Sequence, residues 1–398
     1  MTIEKRLFGY TAESEAVECY RLSDGDMSAE ILTLGGIIRS IVVPVAGERR
    51  DIALGFDDVA SYEAQSCYIG ALIGRVANRV GNARFSLDDK EYSLEANDGP
   101  NCLHGGVRGF DKRVWAAKVD VDALVLSLSS PNGDCGFPGT MSVEVRYGLR
   151  DSTLSIEYIA TCDKDTPVNL TNHCYFNLCG HDSGSVENHS ITIYADEYTP
   201  IDDLLIPTGE VHGVAGTPFD LRVAKEIREG LADAHPQIAL GGGYDHNFVL
   251  SRDKYHELAP AAVLECGGLR MVCSTTQPGL QFYSGNFLTA MEGKAHSDIE
   301  RDGEGSDGHG ASGIGVRTGD GEGSGDGEGS GDDEGSCDGE GSGDGEGSGA
   351  QGASYNRRSG LCLETQSWPD AVNKPLFPGC ILRMGEVYDH ITTYKFST

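Results

Sequence analysis

Apolar and polar residues alternate along much of this chain. In SIEYIA (155–160) and MSVEVRY (141–147) the apolar side chains recur at every second position, and AEILTL (29–34) and HSITIYA (189–195) share the habit. Successive strand side chains point to opposite faces, so this period predicts half-buried β-strands. Clusters of Gly, Pro, Asn and Asp separate the runs, as in SSPNGDCGFPG, DDLLIPTGE and LGGGYDHN, and read as turns. One stretch, DLRVAKEIREGLAD (220–233), has a helical period that puts Leu221, Ala224, Ile227 and Leu231 on one face. Many strands and few helices predict an all-β fold, a large antiparallel sandwich.

Two strand-like runs carry unusual polar residues. In TPVNLTNHCYFNL (166–178), alternation sends Leu170, Cys174, Phe176 and Leu178 one way, with Asn172 among them. Thr171, His173, Tyr175 and Asn177 point the other way. A solvated sheet face would explain that set without any chemistry. In LCLETQSWPDAVN (361–373), Cys362, Glu364, Gln366 and Trp368 share a face. A carboxylate beside an amide and an indole suits a sugar, whose C–H face lies on aromatic rings while its hydroxyls meet polar groups. Further candidates are Asn78 and Arg79 ahead of a hairpin-like turn, His104 in a glycine-rich loop, Asp245 in GGGYDHNFVL and Gln281 in GLQFYSGNF.

Composition narrows the function. The formal net charge of −31 argues against a nucleic-acid partner. That charge is uneven, since residues 301–350 hold 14 Asp or Glu against two Arg. From 319 to 348 a hexad of the type GDGEGS repeats five times with almost no apolar side chain, which predicts a disordered acidic insert over 295–352 within a single domain spanning 1–398. No run of 18 apolar residues exists, so no membrane span is expected. The opening MTIEKRLFGY lacks an apolar signal region, and the twelve cysteines then read as reduced cytosolic thiols. The histidines show no metal-ligand spacing, so no metal is expected.

The stretches NRVGNARF, NDGPNCLHGG, GFDKRVW, TPVNLTNHCYFNL, YDHNFVL, GLQFYSGNFL and SGLCLETQSWPDAVNKPLFP together resemble the aldose 1-epimerase, or galactose mutarotase, family. The likeness runs from the N-terminus to about residue 294 and resumes near 353. It implies a β-supersandwich and a cytoplasmic, cofactor-free isomerase acting on free monosaccharides such as galactose and glucose. By motif, His173 is implied as general acid and Glu364 as general base. Asn78, Arg79, His104, Asp245 and Gln281 are implied as substrate contacts, and Tyr175, on the face of His173, joins them. The acidic insert departs from the family, which joins the Gln281 and Glu364 strands by a short connection. Lengthening that loop costs only about 1.5 kcal/mol of closure entropy, so folding is not excluded.

The residue types fit anomer exchange. Ring opening removes a proton from the C1 hydroxyl and delivers one to the ring oxygen. A carboxylate with an ordinary pKa of about 4.3 suits the first step, and an imidazole near 6.5 suits the second. Two rivals are a non-catalytic sugar-binding protein on the same fold and a hexose-6-phosphate 1-epimerase. Binding alone does not call for an acid–base pair, and a phosphate calls for more Arg or Lys than the charge balance offers.

Overall fold

Strand Met141–Arg150 pairs antiparallel with Thr153–Cys162 in unbroken register, from Arg150 opposite Thr153 to Met141 opposite Cys162. Its alternate residues Val143, Val145, Tyr147 and Leu149 are buried, as their period requires. These two strands sit within a nine-stranded sheet that also holds Tyr388–Ser397, Leu269–Thr275 and Ala259–Cys266. A six-stranded sheet runs Tyr175–Phe176, Leu361–Gln366, Gly279–Tyr283, Asp245–Leu250, Ala195–Tyr198 and His212–Gly213 in that spatial order. The five N-terminal strands, Thr2–Tyr10 to Glu48–Asp51, form a third, meandering sheet. This computed structural model describes residues 1–251, 256–295 and 352–398. They belong to one compact unit, and the sandwich expected from the sequence is what forms.

One face of the six-stranded sheet joins the core. Phe176, Phe248, Leu280, Phe282, Leu361 and Leu363 all lie in the main apolar cluster, together with Met271 and Tyr394 of the nine-stranded sheet. Phe176 packs on Tyr394 with ring centroids 5.0 Å apart, and the Tyr394 hydroxyl donates to Leu363 O at 3.3 Å. The other face is therefore released for Cys362, Glu364, Gln281, Tyr283 and Asp245.

Four expectations change. The stretch 166–178 is not one strand but three short pairings, Thr166–Pro167, Thr171–Asn172 and Tyr175–Phe176, each with a different partner. Every residue in it is buried, so the solvated-face reading fails. The helix over 220–233 shrinks to Ile227–Leu231, because Lys225–Glu226 pairs with the strand Ser190–Ile193 and Glu226 then caps the helix. Ala224 is exposed rather than on the buried face.

Trp368 leaves the Glu364 face: the strand ends at Gln366, ahead of Pro369, and the indole packs on Phe377 at 4.9 Å. Lastly, Cys179, in the turn after Tyr175–Phe176, and Cys266, the last residue of Ala259–Cys266, form a disulfide with Cα atoms 5.8 Å apart. Nine other described cysteines lie outside that bridge.

The acidic insert falls on residues outside those described, apart from its two ends. The chain on either side is clamped: Met291–Glu292 pairs with Ser354–Tyr355, and Gly293 N donates to Ala353 O at 2.6 Å. Lys294 is buried, with Nζ 2.7 Å from Asp51 Oδ2. Among the described residues no helix is long and apolar enough to cross a membrane.

Candidate active site

Register places the site residues. Glu364 lies opposite Gln281, which in turn lies opposite Asn247. One step along, Tyr175 faces Cys362, Cys362 faces Tyr283, and Tyr283 faces Asp245. Directly opposed residues share a face, so a row of Glu, Gln and Asn lies beside a row of Tyr, Cys, Tyr and Asp. His173 lies two residues before Tyr175 and leans over both rows. Its Nε2 is 3.7 Å from Glu364 Oε1, although 191 positions separate the two residues.

A second arm comes from residues 78–104. Asn78 has a positive φ of 61°, which turns the chain into the short pairing of Arg79–Val80 with Cys102–Leu103. His104 follows, also at positive φ, on a loop that passes close over the backbone of Gly74. A Cβ on Gly105 would lie 1.9 Å from Gly74 O, so only glycine fits there. Asn78 N donates to His104 Nδ1 at 3.2 Å. With Nδ1 an acceptor, the neutral ring carries its proton on Nε2 and presents a donor. Arg79 Nε donates to Asp98 Oδ2 at 2.8 Å, which fixes the guanidinium.

The two arms enclose a cavity of about 330 Å³. Asn78, Arg79, His104, His173, Tyr175, Asp245 and Glu364 all line it. Gln281 does not; it lies behind Asp245 and donates from Nε2 to Asp245 Oδ1 at 2.7 Å. Tyr68, Asp98, Tyr283 and Phe287 also line the cavity and were not among the sequence candidates. Tyr283 was legible as the residue two beyond Gln281 on the same face. Asp98 lies within a quoted motif, whereas Tyr68 sits on an irregular loop with no period to mark it. The aromatic wall expected from Trp368 is supplied by Tyr68, Tyr175, Tyr283 and Phe287.

Burial governs the charges. It pushes the Glu364 carboxyl well up, helped by Asp245 and opposed by Arg79. It pushes the His173 imidazole down to about 4, and holds His104 well below the ordinary range, with His173 and Arg79 adding to the shift. Asp245 is raised for the same reason as Glu364. The sequence-based picture of an ionised Glu beside a protonated His therefore changes. Between the two partners, burial favours a neutral carboxyl with a neutral imidazole over the ion pair.

Among the described residues Glu364 Oε2 is buried without a hydrogen-bond partner, as is Gln281 Oε1. A polar ligand would satisfy the first. One ligand atom each from His104, His173 and Glu364 lies within 4.8 Å of the others, a set zinc accepts elsewhere. His104 Nδ1 is already taken by Asn78 N–H, so its Nε2 proton stands where a metal would need a lone pair.

The comparisons agree with this geometry. The sequence profile of the family described as Aldose 1-epimerase matches residues 18–395. The chain is 40% identical over 384 residues to the galactose mutarotase of Bos taurus, covering 96% of this chain and 94% of the relative. It is 36% identical over 388 residues to the aldose 1-epimerase of Escherichia coli, covering 95% of each. A solved GalM/aldose epimerase homologue from C. elegans superposes with a TM-score of 0.75 at 26% identity, over 95% of this chain and 98% of that one. With a profile spanning nearly the whole sequence and full-length relatives well above chance identity, the chain belongs to the aldose 1-epimerase family.

Proposed function

We propose that this protein is an aldose 1-epimerase that interconverts the α and β anomers of free hexoses such as galactose and glucose. The observation that carries the reading is the pairing of Glu364 and His173 at 3.7 Å inside a cavity of sugar size, ringed by hydroxyl-binding groups. Glu364 is assigned as the base that takes the C1 hydroxyl proton, and His173 as the acid that protonates the ring oxygen. Asn78, Arg79, His104 and Asp245 are assigned to hold the remaining hydroxyls, Gln281 to hold Asp245, and Tyr175 to wall the cavity beside His173.

The proton inventory supports this division. The pair must hold one proton, because the reaction needs one accepted and one donated. A sugar hydroxyl donating to the unpartnered Glu364 Oε2, with Arg79 nearby, favours the carboxylate and hence moves the proton to His173. Ring opening then returns it to the ring oxygen while Glu364 takes the C1 proton. After the aldehyde turns about C1–C2, closure on the other face reverses both transfers. The reading includes a cytosolic location, supported by the nine described cysteines outside the Cys179–Cys266 bridge, which is itself the exception.

Polarimetry on freshly dissolved α-D-galactose and α-D-glucose tests the reading. It predicts loss of optical rotation far faster than the spontaneous rate; a rate equal to the spontaneous one sinks it.

A further inference from the structure

His173 is engaged at both ring nitrogens. Nε2 faces Glu364 Oε1 at 3.7 Å, and Nδ1 faces Cys362 Sγ at 3.4 Å. Cys362 is fully buried and precedes Glu364 by two residues on the same strand face. A single strand thus supplies the neighbour of each nitrogen. We propose that Cys362 is a positioning residue whose sulfur accepts the Nδ1–H of His173, leaving Nε2 as the nitrogen that gains and loses the proton in front of Glu364. The proposal rests on the acid role assigned to His173 above.

Proton bookkeeping gives the reason. An imidazolium carries a proton on each nitrogen. Delivering the Nε2 proton to a ring oxygen leaves a neutral ring with its proton on Nδ1, and the reverse step reloads Nε2. Nδ1 therefore keeps its proton throughout and needs an acceptor throughout. Sulfur is a weak acceptor, and here a neutral one, since burial holds the Cys362 thiol well above its ordinary range. A carboxylate in its place would grip Nδ1–H harder, but would also raise the basicity of the ring and make it a poorer donor.

The other titratable groups around the ring are His104, Tyr68, Tyr175 and Tyr283, with centroids 5.3, 5.9, 5.1 and 6.2 Å away. None of them is hydrogen-bonded to Nδ1 among the described residues. The opposite polarity, with S–H donating to Nδ1, would put the neutral ring's proton on Nε2 and leave no lone pair there to reload.

The test uses full-length protein labelled with ¹⁵N-histidine, as wild type, Cys362→Ala and Cys362→Ser. Ring-nitrogen NMR is recorded near neutral pH, where His173 is uncharged, alongside polarimetry and melting curves. The proposal expects the wild-type proton on Nδ1. In the alanine variant it expects a tautomer mixture and a kcat lowered about 3- to 10-fold, the share that one weak hydrogen bond controls. Serine should restore both. A wild-type proton on Nε2 overturns the proposal, as does an alanine variant that melts earlier yet keeps the same tautomer and kcat. Wild-type protein that fails to accelerate mutarotation would instead sink the functional reading, whatever the tautomer.

Discussion

Glu364→Gln separates chemistry from folding at the centre of the site. The amide matches the carboxyl in shape but cannot take a proton. General-base transfer is typically worth about 10²- to 10⁴-fold, so kcat should fall by that factor, or about 2.7–5.5 kcal/mol in barrier height. Stability should move the other way. Glu364 is buried, and its Oε2 has no partner among the described residues. Burial raises its carboxyl, so the folded state binds more protons than the unfolded one as pH rises past the ordinary carboxylate range. That costs stability at neutral pH, and glutamine removes the cost. The variant should therefore melt no lower than wild type at pH 7, and the gap in its favour should widen with pH. Polarimetry on α-D-galactose, corrected for the spontaneous rate, reads the first effect, and circular dichroism melts read the second. A folded variant with near-wild-type turnover would refute the base assignment, and a much lower melting temperature would refute the desolvation argument.

Other consequences are as direct. His173→Asn should also cut kcat sharply while keeping the fold, measured by the same two assays. Arg79→Lys replaces a fork held by Asp98 with a mobile ammonium. It should weaken sugar binding by about 1–3 kcal/mol, read as a raised KM. His173 and His189 are held down to about 4 and His246 to about 3, all chiefly by burial. Each binds fewer protons folded than unfolded between its ordinary value and those figures. Stability should thus hold above pH 6.5 and fall toward pH 4, by about 1.4 kcal/mol per pH unit for each ring, as chemical denaturation across that range will show. Deleting 301–350 should leave kcat and melting temperature close to wild type, since the Lys294–Asp51 pair and the strands flanking the insert lie outside the deletion.

Much of this was readable from residues, for identifiable reasons. The long hairpin of Met141–Arg150 with Thr153–Cys162 obeys a simple period, and so does Leu361–Gln366 as far as Gln366. Alternation correctly put Cys362, Glu364 and Gln366 on one face. It failed at Trp368, where the strand had ended, and over 166–178, where three short pairings replace one strand. Burial was harder to read than direction. Asp245 follows a glycine-rich turn and Gln281 sits on a polar strand face, yet both are buried, because the 78–104 arm covers a sheet face that would otherwise be wet. Nothing local in the sequence announces that cover. The direction of the pair's pKa shifts was hidden for the same reason: ordinary values assume a hydrated side chain, and both of these are buried.

The electrostatics of the cavity also bear on which sugars it suits. Among the described lining residues Arg79 is the only Lys or Arg, and its Nε is already committed to Asp98. Asp98, Asp245 and Glu364 stand around it. A phosphorylated sugar would bring a charge of about −1.5 to −2 toward these carboxyls. At 4 Å and an effective dielectric of about 20, each ionised carboxylate repels a unit negative charge by roughly 4 kcal/mol. One paired guanidinium does not offset that. A neutral sugar meets no such barrier, and it offers a hydroxyl proton to Glu364 Oε2, which has no donor among the described residues. The burial that makes Glu364 and His173 reluctant to carry charge thus favours a substrate that carries none.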